Sequence, residues 1–309
     1  MKVVAARVVM ATLLAVSIGF LLQAQDSTAP AASIVAATAL QAAPVLTAQG
    51  SDGREYFYKR HEVVPVGAST IRLPILMYHY VRTPPSMRTD MLGFRLSVSP
   101  QDFQEQMDWL LANRYHPVTF DQVRAYFAGR SPLPSRPVVI TLDDGYADLY
   151  TTAFPILQAH GFAAVAYVVS GFVDRDRYVT RQQVLQMDRA GIEIASHTVD
   201  HADMQHASWG TATYQLAQSK RWLEALLGHP VVDFAYPSGR HSAQTIQLLG
   251  QFGYDTAVIE DGSMMHSRAD RYLWGRVRVG GGESMHDFIA SLGPSMPTVT
   301  VSSLDVEPS

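Results

Sequence analysis

Asp143 and Asp144 stand side by side at the end of the run Val138-Val139-Ile140-Thr141-Leu142, and Gly145 follows them. Apolar β-formers that stop at charged residues describe a buried parallel strand delivering side chains to a rim, where catalytic groups collect. Neighbouring side chains on a strand point to opposite faces, so one carboxylate can bind a cation while the other moves a proton. Asp-Asp-Gly also begins many ordinary loops, and the company it keeps decides between the two. His197 and His201, in His197-Thr198-Val199-Asp200-His201, lie at i, i+4; in a helical turn such rings are neighbours roughly 5–6 Å apart. Two imidazoles, one carboxylate and an open position suit a zinc-like centre that lowers the pKa of water towards ~7. His79 and Tyr236-Pro237-Ser238-Gly239 end two further strand patterns.

These groups need elements to hold them. Strand patterns recur at 71–81, 138–142, 163–169, 192–195, 231–236, 255–259 and 276–279. Helical stretches fall between them. Ser99-Pro100 caps a helix with Phe103, Met107, Leu110 and Leu111 on its apolar face. Thr119 with Gln122 is a capping box, Thr180 opens another helix, and Gly161, Gly228 and Gly253 stop three more. Strand and helix alternate throughout, which predicts an α/β fold: a distorted parallel (β/α) barrel of about seven strands, as one catalytic domain over 56–293. A loop is expected from Arg82 to about Ser97.

Outside that span the composition changes. Residues 1–24 carry Lys2 and Arg7 and then the apolar run Val8 to Leu22, the pattern of an export signal or an N-terminal anchor. Residues 25–55 read as a flexible Ala/Ser/Thr-rich linker, and 294–309 as a disordered tail. The chain contains no cysteine, so disulfides and a thiol nucleophile are excluded and a metal must be held by His, Asp or Glu. A net charge of −4 gives no electrostatic case for nucleic acid. Membrane contact is expected only through an uncleaved N-terminal segment. The protein is expected to be a monomer outside the cytoplasm, secreted or tethered to the outer face of the cytoplasmic membrane.

Thr141-Leu142-Asp143-Asp144-Gly145, His197-Thr198-Val199-Asp200-His201 and Phe234-Ala235-Tyr236-Pro237-Ser238-Gly239 resemble the three motifs of the polysaccharide deacetylases of carbohydrate esterase family four. Met77-Tyr78-His79 ahead of them is similar to the permuted branch that includes the poly-N-acetylglucosamine deacetylases. The resemblance implies Asp144, His197 and His201 as metal ligands, Asp143 as general base and His79 as general acid. It implies the Ser238 N–H as an oxyanion donor within Tyr236, Pro237, Ser238 and Gly239. The cofactor it implies is a divalent metal, Zn2+ first, with Co2+, Ni2+, Mn2+ or Fe2+ as alternatives. The substrate it implies is an N-acetylated polysaccharide: poly-N-acetylglucosamine, peptidoglycan or a chitin-like polymer. An O-acetyl, xylan-type esterase would share these residues, and a catalytically silent glycan-binding member is the other alternative.

Two departures from the family pattern carry expectations of their own. Ala235 occupies a position where many members have an arginine that orients the catalytic aspartate, and Arg276 is the candidate substitute. Ser238 replaces a frequent aromatic, which leaves Trp274 and Tyr236 as candidates to stack on a sugar ring. His286, on a predicted helix, is a rival general acid expected to lie at the surface.

Overall fold

The computed structural model describes residues 33–36, 46–49, 55–294 and 298–306. Two compact units divide the chain: residues 65–296, and the segments 1–64 and 297–309. The expected signal or anchor over 1–24 lies outside the described residues. Among the described residues no helix is long and apolar enough to cross a membrane.

The larger unit is built on seven parallel strands: β1 (Ile75–Tyr78), β2 (Pro137–Leu142), β3 (Val165–Val168), β4 (Glu193–Ser196), β5 (Asp233–Ala235), β6 (Thr256–Val258) and β7 (Val277–Arg278). Their order across the sheet is β6-β5-β4-β3-β2-β1-β7. Every residue of β2 and β3 is buried, because helices cover one face and the barrel interior the other. Val139 pairs with Ile75 and Thr141 with Val165, which fixes β2 between β1 and β3. The two sheet edges meet through one short segment. Val277 pairs with Leu76 of β1, while Trp274, three residues earlier, makes a parallel bridge to Val258 of β6. The expected distorted (β/α) barrel is therefore the observed architecture.

Eight helices surround or plug it: α1 (Met91–Leu96), α2 (Pro100–Ala112), α3 (Phe120–Phe127), α4 (Phe154–Ala159), α5 (Arg181–Arg189), α6 (Trp209–Leu227), α7 (Ala243–Gln251) and α8 (Met285–Leu292). Their starts follow capping chemistry. The Ser99 hydroxyl accepts from the Asp102 N–H at α2, and the Thr119 N–H donates to Gln122 Oε1 at α3. The wall helices close over a core that includes Phe103, Met107, Leu157 and Met187.

Several local expectations need correcting. The loop over 82–97 contains α1, whose first turn is held by the Asp90 carboxylate accepting from the Gly93 N–H. Leu111 is 53 % exposed. Gln106 is buried in the face of α2 instead, where it accepts a 2.8 Å bond from the Tyr78 hydroxyl. The helix that Gly161 stops opens as a π-turn over Leu149–Ala153 before α4. Helix α6 starts at Trp209, where the Ser208 hydroxyl accepts from the Thr211 N–H.

The smaller unit contains Ser33–Ala36, Leu46–Gln49, Glu55–Val64 and Val299–Val306, joined antiparallel in that order. Strands thus occur inside stretches whose composition suggested a linker and a tail. Pairing between distant segments supplies them, and local periodicity does not announce it.

Candidate active site

The C-terminal strand ends bring the motif residues together. His79 follows β1, Asp143 and Asp144 follow β2, His197 follows β4, and Tyr236 through Gly239 follow β5. Asp144 adopts φ 71° and Gly145 φ 74°, so the chain turns sharply after the strand and the adjacent carboxylates part. A left-handed aspartate is uncommon and marks a backbone held by its surroundings.

Asp143 points to the barrel interior and is 1 % exposed. Arg276 grips it with two parallel bonds of 2.7 Å, Nη1 to Oδ1 and Nη2 to Oδ2. The same Nη1 donates to the Thr141 hydroxyl at 3.1 Å, and that hydroxyl donates to the Leu76 carbonyl at 2.8 Å. Burial alone would raise the Asp143 pKa, but the Arg276 charge and hydrogen bonds together with His197 and His79 outweigh it, and the carboxyl is held below its ordinary value. The arginine expected near Asp143 is thus within reach, delivered from the segment that closes the barrel.

Asp144 Oδ1 lies 3.4 Å from His197 Nε2 and 3.4 Å from His201 Nε2. The three ligand atoms of these residues all fall within 4.8 Å of one another. The segment between the histidines is no helical turn: Thr198 and His201 have φ 68° and 61°, yet the ring centres are 5.0 Å apart. His197 Nδ1 is 2.8 Å from the Ala235 carbonyl, which can only accept, so Nδ1 carries the proton. A neutral His197 then aims the Nε2 lone pair at a carboxylate oxygen that is buried without a hydrogen-bond partner. Lone pair against lone pair is unfavourable unless a cation or a proton lies between them, and this donor set fits a divalent cation.

Without a cation, burial lowers the His197 pKa, but Asp144, Asp143 and the Ala235 carbonyl together more than restore it, for a net rise. His201 is lowered by burial and by His197 beside it. Asp144 is held far below the usual carboxylate range, the histidines outweighing its desolvation. His79 is 8 % exposed and its Nδ1 has no partner among the described residues. Burial lowers its pKa, and Asp143 and Asp144 offset this only in part.

The third motif forms a tight turn over Pro237–Gly239 with Ser238 at φ 54°. A Cβ on Gly239 would come 2.8 Å from the Glu260 backbone nitrogen, so only glycine permits this approach. Two sugar-stacking expectations fail here. Trp274 is 1 % exposed, packs on Phe120 and Phe127, and donates its Nε1–H to the Ser267 carbonyl at 2.8 Å. Tyr236 is fully buried beside Phe234. Both rings belong to the interior and neither faces a substrate. His286 is 91 % exposed on α8, as expected.

The aromatic surface at the mouth comes from residues that motif reading passes over. Tyr146, Phe172 and Tyr178 line a cavity of about 320 Å³ with Asp144, Asp200 and His201. The Tyr80 and Tyr146 rings stack at 3.6 Å, and Tyr178 stacks on Tyr146 at 5.3 Å. Their signal was position: Tyr80 follows His79 and Tyr146 follows Gly145 directly.

Residues 130–257 match the family model described as polysaccharide deacetylase. Those residues make up a polysaccharide deacetylase domain. The Bacillus subtilis protein YxkH, provisionally named a polysaccharide deacetylase, is 28 % identical over 213 residues, covering 69 % of this chain and 73 % of that protein. The poly-beta-1,6-N-acetyl-D-glucosamine N-deacetylase of Escherichia coli K12 is 31 % identical over 237 residues. That match covers 62 % of this chain but only 35 % of the longer relative. Among solved structures, the Streptococcus pyogenes deacetylase PplD in complex with acetate superposes with a TM-score of 0.67 at 26 % identity, covering 72 % of this chain and 99 % of PplD.

Proposed function

We propose that this polysaccharide deacetylase is a metal-dependent hydrolase that removes N-acetyl groups from an extracytoplasmic polysaccharide of the poly-N-acetylglucosamine type. The observation that carries the reading is the division of labour between two consecutive carboxylates: Asp143 clamped by Arg276, Asp144 beside two imidazole nitrogens. Asp144, His197 and His201 are the residues that would hold a divalent cation, zinc first, which supplies Lewis acidity to acidify water and polarise the acetyl carbonyl.

The chain's own groups do the rest. Asp143 accepts the proton of the attacking water, and Arg276 keeps that carboxylate ionised and aimed. The Ala235 carbonyl fixes the tautomer of His197. The Ser238 N–H donates to the oxyanion that develops on the acetyl group. His79 protonates the departing nitrogen. The Lys2 and Arg7 charges ahead of the apolar run Val8 to Leu22 support a location outside the cytoplasm. We take the catalytic domain as 56–293, acting as a monomer.

Acetate release from an N-acetylglucosamine oligomer tests this. The full chain should release acetate and expose a free amine, whereas a metal-stripped sample and Asp143→Asn should release none. Release of acetate from O-acetylated xylan alone would replace this reading with an esterase. Metal binding with no release from either substrate would leave a glycan-binding role.

A further inference from the structure

Helix α6 buries Ala212, Leu216, Ser219 and Leu223 on one face. The opposite face sets Tyr214, Gln218, Arg221 and Trp222 at i, i+4, i+7 and i+8, a single stripe along the helix. Tyr214 is 53 % exposed. This stripe walls a groove of about 390 Å³ whose other side is Gly171 and Val199. The Arg181 guanidinium sits 5.6 Å over one face of Trp222 and steadies that ring. An exposed Tyr214 ring and the edge of the half-buried Trp222, flanking an amide and a guanidinium, suit a sugar polymer. Rings stack on pyranose C–H faces, while Gln218 and Arg221 donate to hydroxyl and acetamido oxygens.

The groove adjoins the catalytic mouth across a shared wall. Gly171 and Val199 belong to it, while their chain neighbours Phe172 and Asp200 line the mouth beside His201. The Gly171 N–H donates to the Val199 carbonyl at 2.8 Å, and a Cβ on Gly171 would come 2.4 Å from that oxygen. Glycine therefore lets the two loops close on each other, and groove and mouth share one rim.

We propose that the α6 groove is a distal subsite for the polysaccharide substrate, holding sugar residues beyond the one that reacts. The inference rests on the deacetylase reading above. Arg221 makes the subsite selective for N-acetylated residues, since a deacetylated residue carries an ammonium that its guanidinium repels. The enzyme thereby prefers chains still acetylated on that side of the reacting sugar.

The test compares the full-length protein with Tyr214→Ala and Arg221→Ala, both surface changes, on N-acetylglucosamine oligomers of two lengths. Wild type should turn over long oligomers with higher kcat/KM than the disaccharide. Each variant should lose roughly three- to tenfold on the long oligomer, through KM, and nothing on the disaccharide. In an Asp143→Asn background, Tyr214→Ala should weaken binding of the long oligomer by the same factor, a readout that needs no turnover. Unchanged KM and unchanged binding in both variants would overturn the subsite and leave the deacetylase standing. Absence of acetate from every substrate would sink the deacetylase, and the binding comparison would still decide the groove. Tighter binding of the deacetylated polymer than of the acetylated one would overturn the proposed selectivity.

Discussion

Arg276 and Asp143 are the residues whose pairing matters most to the chemistry. Both are almost fully buried, and two charge-assisted bonds with fixed planar geometry join them. Lysine keeps the charge but offers a single point donor, so Arg276→Lys loses one bond and the alignment of the carboxylate. We expect kcat to fall by roughly 10²-fold with KM little changed. The carboxyl now held low by Arg276 should rise, and a base must be ionised to act. The acid limb of the pH–rate profile should therefore move to higher pH, a shift that a merely structural role would not produce. Steady-state rates across pH check both points, and an unchanged limb would sever Arg276 from the base. Trp274 shows how the same segment misled the reading of a residue only two positions away. Trp274 and Arg276 both lie just ahead of β7, and both are buried. There one meets Phe120 and the other meets Asp143. Sequence placed both near a rim, but only three-dimensional depth separates a charge clamp from a core ring.

Among the elements, α3 acts from the end of the barrel opposite the site. Arg124 on this helix forms ion pairs with Glu193 and Asp233, the first residues of β4 and β5, while Phe120 packs inside against Tyr167 and Trp274. The helix plugs the floor and ties two strands whose far ends carry His197 and the third-motif turn. Burial and the nearby Asp233 push the Glu193 carboxyl well above its usual pKa, with Arg124 opposing them. Arg124→Met should leave two buried carboxylates without their cation and cost about 3–5 kcal/mol. Thermal melts should show that loss shrinking on acidification, as Glu193 takes a proton and the repulsion ends. A loss independent of pH would assign the effect to packing alone. Elements of this kind were legible wherever the signal is local: Thr119 with Gln122, Thr180 with Gln183, and the apolar strand ending in Asp143 and Asp144 mark their own boundaries. The left-handed turn joining His197 to His201 carries no local signal, because contacts made elsewhere in the chain impose it.

For the barrel as a whole, part of the stability depends on keeping one buried histidine neutral. His266 belongs to the short ladder Met265–Ser267 against Thr70–Arg72, and its ring lies 5.9 Å from Trp274. It is 1 % exposed, with Nε2 3.0 Å from the Leu73 carbonyl. Burial lowers its pKa to about 4, and the Leu73 carbonyl, Asp270 and Asp261 offset only part of that. The folded protein thus binds fewer protons at this ring than the unfolded chain, whose histidine titrates near ~6.5. Stability from this site is complete above that value and drains away as pH falls towards 4, to a total of about 3 kcal/mol. His266→Gln retains a donor for Leu73 and removes the titration. Above neutrality the variant should be the less stable protein, because an amide fills the aromatic pocket less well than an imidazole. Between pH 6.5 and 4 its melting temperature should fall less steeply than that of wild type, and the curves should converge or cross. Parallel curves over that range would mean that the ring is reached by solvent and that acid unfolding begins elsewhere, at His79, His197 or His201.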